Sequence, residues 1–283
     1  MSRYKTLVLK GGGVKGMAYV GAAKALEEAG LLPQVDEFAG TSAGAIMAAL
    51  LAAGYGADEL KEIFTELDFR SFEDHEDPLR LVTRYGLYEG SFFLKWITES
   101  LGRKLAKANP TFADLPHGLS VFATNMNTRG LAEFSKKETP TVAVGEAVRC
   151  SMSIPFVFSA YQLAGQIYVD GGVLLNYPFL PFEQRPPGSV LGLYLADLSA
   201  KAPTTYDVRF DDVVSFTKGL FETVVAGQQP LEVDLDSQAG RQSVLIDDEG
   251  ISATDFEITA AQKQQLYDNG YRATRKYLEL HPA

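Results

Sequence analysis

Twice near the start of this 283-residue chain, a short apolar run ends in glycines and then passes into an alanine-rich segment. Residues 7–26 read LVLKGGGVKGMAYVGAAKAL, and residues 38–50 read FAGTSAGAIMAAL. Tight glycine joints between strand and helix leave few architectures open. A strand followed closely by a helix must cross back over the sheet, and repeating the unit gives parallel strands covered by helices. Strands are expected over Thr6–Lys10 and Val35–Ala39, with helices over Met17–Ala29 and Ala43–Ala53 stopped by Gly30 and Gly54. The expected class is α/β, a mostly parallel central sheet with helices on both faces.

The rest of the chain continues the pattern less regularly. Further strands are expected at Leu119–Thr124, Ala132–Phe134, Gln166–Val169, Val190–Leu195 and Ser243–Ile246. Helices are expected at Asp58–Glu66, Glu146–Ser151, Asp211–Gly227 and Ala260–Leu280, with a surface loop over 197–211. No composition shift divides the chain, so one domain over 1–283 is expected. Between them, YGLYEGSFFLKWITESLGRKL (85–105) sets Phe92, Phe93 and Trp96 at helical spacing. They read either as one buried helix face or as a cap lining a hydrophobic ligand channel.

Gly40-Thr41-Ser42-Ala43-Gly44 fits G-x-S-x-G. A serine on a sharp strand-to-helix turn presents its hydroxyl outward, and tiny neighbours let strand and helix approach. The bland alternative is a helix start capped by Ser42. A nucleophilic hydroxyl needs a base. The three histidines, His75, His117 and His281, lie in an acidic stretch, after Pro116 and near the last residue. Asp170 suits the role better, because it ends a short strand and Gly171 and Gly172 follow it. A carboxylate with a pKa of about 3.9 is a weak base until desolvation raises it.

The first glycine cluster also fits G-x-G-x-x-G, with Asp36 downstream of Gly16. For a dinucleotide site Asp36 should end the second strand, and it stands at the start instead. Met17 occupies the position where a phosphate-binding P-loop requires lysine, and Lys15 precedes the last glycine. The loop Gly11 to Gly13 can instead aim backbone N–H groups at an oxyanion.

Three pieces in order, Gly11-Gly12-Gly13-Val14-Lys15-Gly16, Gly40-Thr41-Ser42-Ala43-Gly44 and Asp170-Gly171-Gly172, resemble the patatin-like phospholipase family. TFADL (111–115), ATNMNT (123–128), SMSIPFVF (151–158), DGGVLLNYP (170–178) and the closing helix at 258–278 extend the likeness over nearly the whole chain. The resemblance implies a three-layer α/β/α fold. It implies a lipid acyl hydrolase of phospholipase A or lysophospholipase type, working through a Ser42–Asp170 dyad and an acyl-enzyme. Gly11, Gly12 and Gly13 would form the oxyanion hole, supported by Lys15, Gly16, Gly40, Gly44, Gly171 and Gly172. Phe92, Phe93, Trp96, Pro155, Phe156 and Phe158 are candidates for the acyl groove. No metal and no cofactor are implied.

Composition narrows the partners. With a net charge of −10, sequence-independent nucleic-acid binding is not expected. The single cysteine, Cys150, suits a reducing compartment, and no signal peptide or bilayer-long apolar run is visible. The expectation is a cytoplasmic protein in transient contact with membranes, acting on phospholipid or another acyl lipid; no activating partner or ligand is legible. A neutral-lipid esterase or acyltransferase with the same dyad, a non-catalytic lipid-binding effector and a dinucleotide-binding oxidoreductase are the alternatives.

Overall fold

A computed structural model of the chain describes residues 4–198, 213–232 and 242–282. Ten strands and eight helices are described in it. The first βα units are β1 (Thr6–Leu9), α1 (Met17–Glu28), β2 (Glu37–Thr41) and α2 (Ala43–Ala52). There follow α3 (Ala57–Glu66), α4 (Pro78–Thr83), β3 (Gly86–Tyr88), α5 (Ser91–Leu105), β4 (Gly118–Asn125) and β5 (Gly130–Ser135). Next come α6 (Val144–Ser151), β6 (Phe156–Phe158), β7 (Tyr161–Leu163), β8 (Gln166–Asp170) and β9 (Val190–Ala196). The last are α7 (Val213–Glu232), β10 (Ser243–Asp247) and α8 (Ala260–Leu280). The expected loop at 197–211 lies, from residue 199 on, outside the described residues.

The main sheet runs β10-β9-β1-β2-β4-β8-β7, with β5 also on β4. The four pairings among β10, β9, β1, β2 and β4 are parallel, and those of β5, β7 and β8 antiparallel. β3 and β6 form a separate two-stranded ribbon. Successive strand residues face opposite sides, and the core divides accordingly. Leu7, Leu9, Phe38, Val121 and Ala123 join the large cluster beneath α1 and α2. Val8, Ala39 and Phe122 join a smaller one closed by Tyr177, Phe179 and Phe182. Helices thus flank a mostly parallel sheet in a three-layer α/β/α arrangement. All ten residues of α2 are buried, which explains why a helix of alanine, glycine and larger apolar residues needs no polar face.

One detail of pairing positions everything that follows. Residues 120–122 of β4 pair with both β2 and β5, and residues 123–125 with both β5 and β8. A strand has two edges, so β2 and β8 lie end to end along the same edge of β4. Thr41, the last residue of β2, sits opposite Phe122, and Asp170, the last of β8, sits opposite Ala123. Two adjacent residues of β4 therefore bring the C-terminal ends of β2 and β8 together.

Candidate active site

Ser42 follows Thr41 directly and occupies φ 53°, ψ −124°. Non-glycine residues avoid that region, and holding one there costs about 1–3 kcal/mol. The surroundings enforce it. A Cβ on Gly40 would lie 2.3 Å from the Gly44 backbone, and one on Gly44 2.3 Å from the Leu9 carbonyl oxygen. Strand and helix meet at van der Waals limits that only glycine allows. The Ser42 N–H donates to Ser151 Oγ at 2.9 Å, and that hydroxyl donates to the Phe122 carbonyl at 2.5 Å. The Ser42 side chain makes no capping bond to α2, so its hydroxyl is left for other work.

Asp170 is fully buried. Its backbone is held from both directions: its N–H donates to the Ser153 carbonyl at 2.8 Å, and its own carbonyl accepts from Thr124 Oγ1 at 3.0 Å. Oδ1 accepts from the Gly172 N–H at 2.7 Å. Oδ2 is buried and closes no hydrogen bond of normal geometry. Burial pushes this carboxyl up to about 7, against the opposing pull of the Ser42 hydroxyl and the Gly172 N–H. The hydroxyl is thus near enough to stabilise the carboxylate without forming a closed bond to Oδ2. Such loose contacts are common in resting sites.

The glycine loop lies against the serine: a Cβ on Gly11 would come within 3.4 Å of the Ser42 Cβ. The three glycines are not equivalent. The Gly11 N–H donates to the Asn176 carbonyl at 2.9 Å, so Gly11 is not a free donor, a correction to the three-glycine expectation. The N–H groups of Gly12 and Gly13 have no acceptor among the described residues. Gly13 takes φ 58° and packs on the Ala253 carbonyl, where a Cβ would fall at 1.8 Å. Val14 N–H donates to the same carbonyl at 3.1 Å, and Lys15 Nζ pairs with Asp248 Oδ2 at 2.5 Å. That ion pair is largely shielded from solvent. Gly16 abuts the Phe64 ring, while Gly171 fits between the Phe122 carbonyl and Thr41.

A second brace comes from α7. Gln228 Nε2 donates to the Gly172 carbonyl at 2.7 Å, and its Oε1 accepts the Asn176 N–H at 2.9 Å. The turn after Asp170 is thereby tied through Asn176 to Gly11.

Beside Ser42 is a small apolar pocket of about 30 Å³, lined by Ile46, Phe69, Phe72, Met152, Ile154, Phe158 and Phe256 among others. Of the six groove candidates, only Phe158 lines it. The others need correction. Phe93 is buried, edge-on to Phe72 at 5.4 Å, and Trp96 packs on the same ring at 5.9 Å. Phe92 also leans on Phe72, at 5.9 Å, and is partly exposed. Helix α5 therefore stands one layer behind the pocket. Pro155 is half-buried, and Phe156, at φ 65°, turns outward. What the sequence reading missed is the segment after β10, which supplies Asp248, Ala253 and Phe256, and Arg149. The guanidinium of Arg149 is buried and donates to Ser153 Oγ and to the carbonyls of Glu89 and Ser159.

The alternative bases and ligands are elsewhere. His117 packs edge-on against Phe38 just before β4, at the end of β2 opposite Ser42. His75 is exposed, and His281 stacks on Tyr277 past α8. Asp36 precedes β2 and pairs with Lys5 at 3.1 Å, away from the strand end a ribose-binding acid would occupy. Among the described residues no three His, Cys, Asp or Glu side chains gather to hold a metal ion, and no helix is long and apolar enough to cross a membrane.

The patatin-like phospholipase family pattern matches residues 7–183, which contain Ser42, Asp170 and the glycine loop. The chain belongs to the patatin-like phospholipase family. Protein YqhO of Bacillus subtilis is 32% identical over 96% of this chain and 97% of its own length. A cGAMP-activated phospholipase of Pseudomonas aeruginosa is 26% identical over 97% of this chain and 89% of its own. The crystal structure of VipD from Legionella pneumophila superposes with a TM-score of 0.68 at 21% identity, covering 99% of this chain and 67% of that one, a likeness of fold alone. The segment carrying Asp248, Ala253 and Phe256 lies beyond the matched span.

Proposed function

We propose that this member of the patatin-like family is a lipid acyl hydrolase that cleaves fatty-acyl esters through Ser42 and Asp170. The observation that carries the reading is the Asp170 carboxyl. It is buried, raised to about 7 and set beside a strained serine, with no histidine near. Near neutrality such a group is a far better base than an ordinary carboxylate. As Ser42 Oγ bonds to the ester carbonyl carbon, its proton passes to Asp170. The carbonyl oxygen becomes an oxyanion that Gly12 and Gly13 can meet with two N–H donors, at the positive end of α2. Collapse expels the alcohol portion, which takes the proton from Asp170 and leaves an acyl-serine. Water then attacks as Asp170 accepts its proton; Asp170 returns that proton to Ser42 Oγ as the acyl–serine bond breaks, and the fatty acid leaves.

Reaction with a fluorophosphonate probe tests the nucleophile. Wild type should be labelled and Ser42→Ala should not. Asp170→Asn should keep the fold and lose ester turnover by about 10³-fold or more. Labelling that persists in Ser42→Ala, or an Asp170→Asn enzyme with most of its activity, overturns the dyad. Turnover of phospholipid, lysophospholipid and neutral glyceride by the wild type then assigns the substrate.

A further inference from the structure

The pocket beside Ser42 holds about 30 Å³, the room of one water molecule and not of an acyl chain. One side of it is the segment from Ile154 into β6. Ile154 and Phe158 line the pocket, and Phe156 between them points to solvent. The neighbouring surface is unusually apolar. No residue of α4 is buried; Leu79 is 73% exposed and Val82 81%. Tyr85 follows, 57% exposed, and its carbonyl accepts the Phe156 N–H at 3.1 Å. Both aromatics hold left-handed backbone, φ 64° and 65°, where bulky residues are genuine outliers. Two strained, solvent-facing aromatics hydrogen-bonded to each other do nothing for the core, and strain of this kind gathers at functional sites.

Charge narrows the occupant. Glu76 and Asp77 lead into α4, Asp77 as its N-cap, while α4 and the residue after it present Arg80 and Arg84. Arg80 pairs with Glu89 at 3.4 Å, while Arg84 is exposed and has no carboxylate partner among the described residues. Exposed aliphatic side chains, two aromatics and the guanidinium of Arg84 suit the boundary between acyl chains and phosphate headgroups. A helix of six residues offers no groove for a protein segment.

We propose that α4, Tyr85 and Phe156 form the surface by which this protein docks on a phospholipid layer, placing the wall between Ile154 and Phe158 against the acyl chains. The proposal rests on the lipid-hydrolase reading, and its test separates the two. Binding is measured as co-flotation of Ser42→Ala protein with vesicles of phosphatidylcholine and phosphatidylglycerol, so that turnover plays no part. The same protein with Leu79→Gln and Val82→Gln should partition about tenfold or more less strongly. In the active background the double variant should lose vesicle phospholipid turnover by a similar factor and keep its rate on a soluble short-chain ester. Equal flotation of parent and variant overturns the proposal. So does a parallel loss on the soluble ester, which would mark pocket damage, or a change in solution mass, which would mark an interface between copies. If the wild type hydrolyses neither substrate but flotation still depends on Leu79 and Val82, docking stands and the hydrolase reading falls.

Discussion

At the residue scale the site is built on two unfavourable placements. Asp170 is the first. A carboxyl raised to about 7 by burial loses its proton only near neutrality, so kcat/KM should rise through that pH on one limb, with no second limb from a histidine. A stopped assay with a soluble ester from pH 5 to 9 checks this. The same group affects stability with a definite sign. Its folded pKa lies above its unfolded value of about 3.9, so the native state binds the extra proton between them and stability falls as pH rises through that window. Above pH 7 the buried charge costs about 4 kcal/mol. Asp170→Asn should therefore melt higher than wild type at pH 8, with the gap closing toward pH 5. Ser42 is the second placement. Glycine adopts φ 53° freely, so Ser42→Gly should be about 1–2 kcal/mol more stable than Ser42→Ala in urea denaturation, although both are inactive.

At the element scale the pieces of the candidate site are carried by turns, and the turns are held by distant elements. The segment after β10 grips the glycine loop through Asp248 on Lys15 and the Ala253 carbonyl on Val14. Loss of that grip should misplace the N–H groups of Gly12 and Gly13. Asp248→Asn is expected to lower kcat about tenfold with little change in KM, read by steady-state kinetics on a soluble ester. The sequence showed the pieces but not the grip. Strand, glycine turn and helix are contiguous, so the elbow and the Asp170 turn were legible from spacing. Asp248 and Lys15 are far apart in sequence, and a lone aspartate after a strand has no local signature. The β2 strand begins at Glu37 rather than Val35, because Val35 closes a 3-10 turn and pairing with β1 and β4 sets the register. Helix α4 and strands β3, β6 and β7 escaped because elements of three to six residues show too little periodicity. The groove candidates on α5 do not reach the pocket: Phe93 and Trp96 pack on Phe72, which lines it, and helical spacing alone cannot tell a pocket wall from the layer behind it.

At the scale of the whole molecule, α1 and α8 cross at glycines. A Cβ on Gly21 would lie 1.9 Å from the Tyr267 carbonyl, and one on Gly270 1.8 Å from the Ala18 carbonyl. Replacing glycine by alanine inside a helix ordinarily stabilises it by about 1 kcal/mol. Gly270→Ala should do the reverse, destabilising by about 3 kcal/mol as the helices are forced apart. Gly227→Ala in α7, where a Cβ meets nothing within 4 Å, should follow the ordinary sign. Paired thermal melts of the two variants decide it.

The α1–α8 crossing also sets a time. Helix α1 continues directly from the glycine loop, and its outer face is covered by a helix that begins only at Ala260. While the chain is being made, the loop beside Ser42 hangs from a helix with one side bare, long after both glycine turns have left the ribosome. Contacts between segments so distant in sequence form late in folding. Synthesis itself thus delays the finished site: a nascent chain short of α8 carries Ser42, Asp170 and the glycine loop and lacks the helix that covers α1.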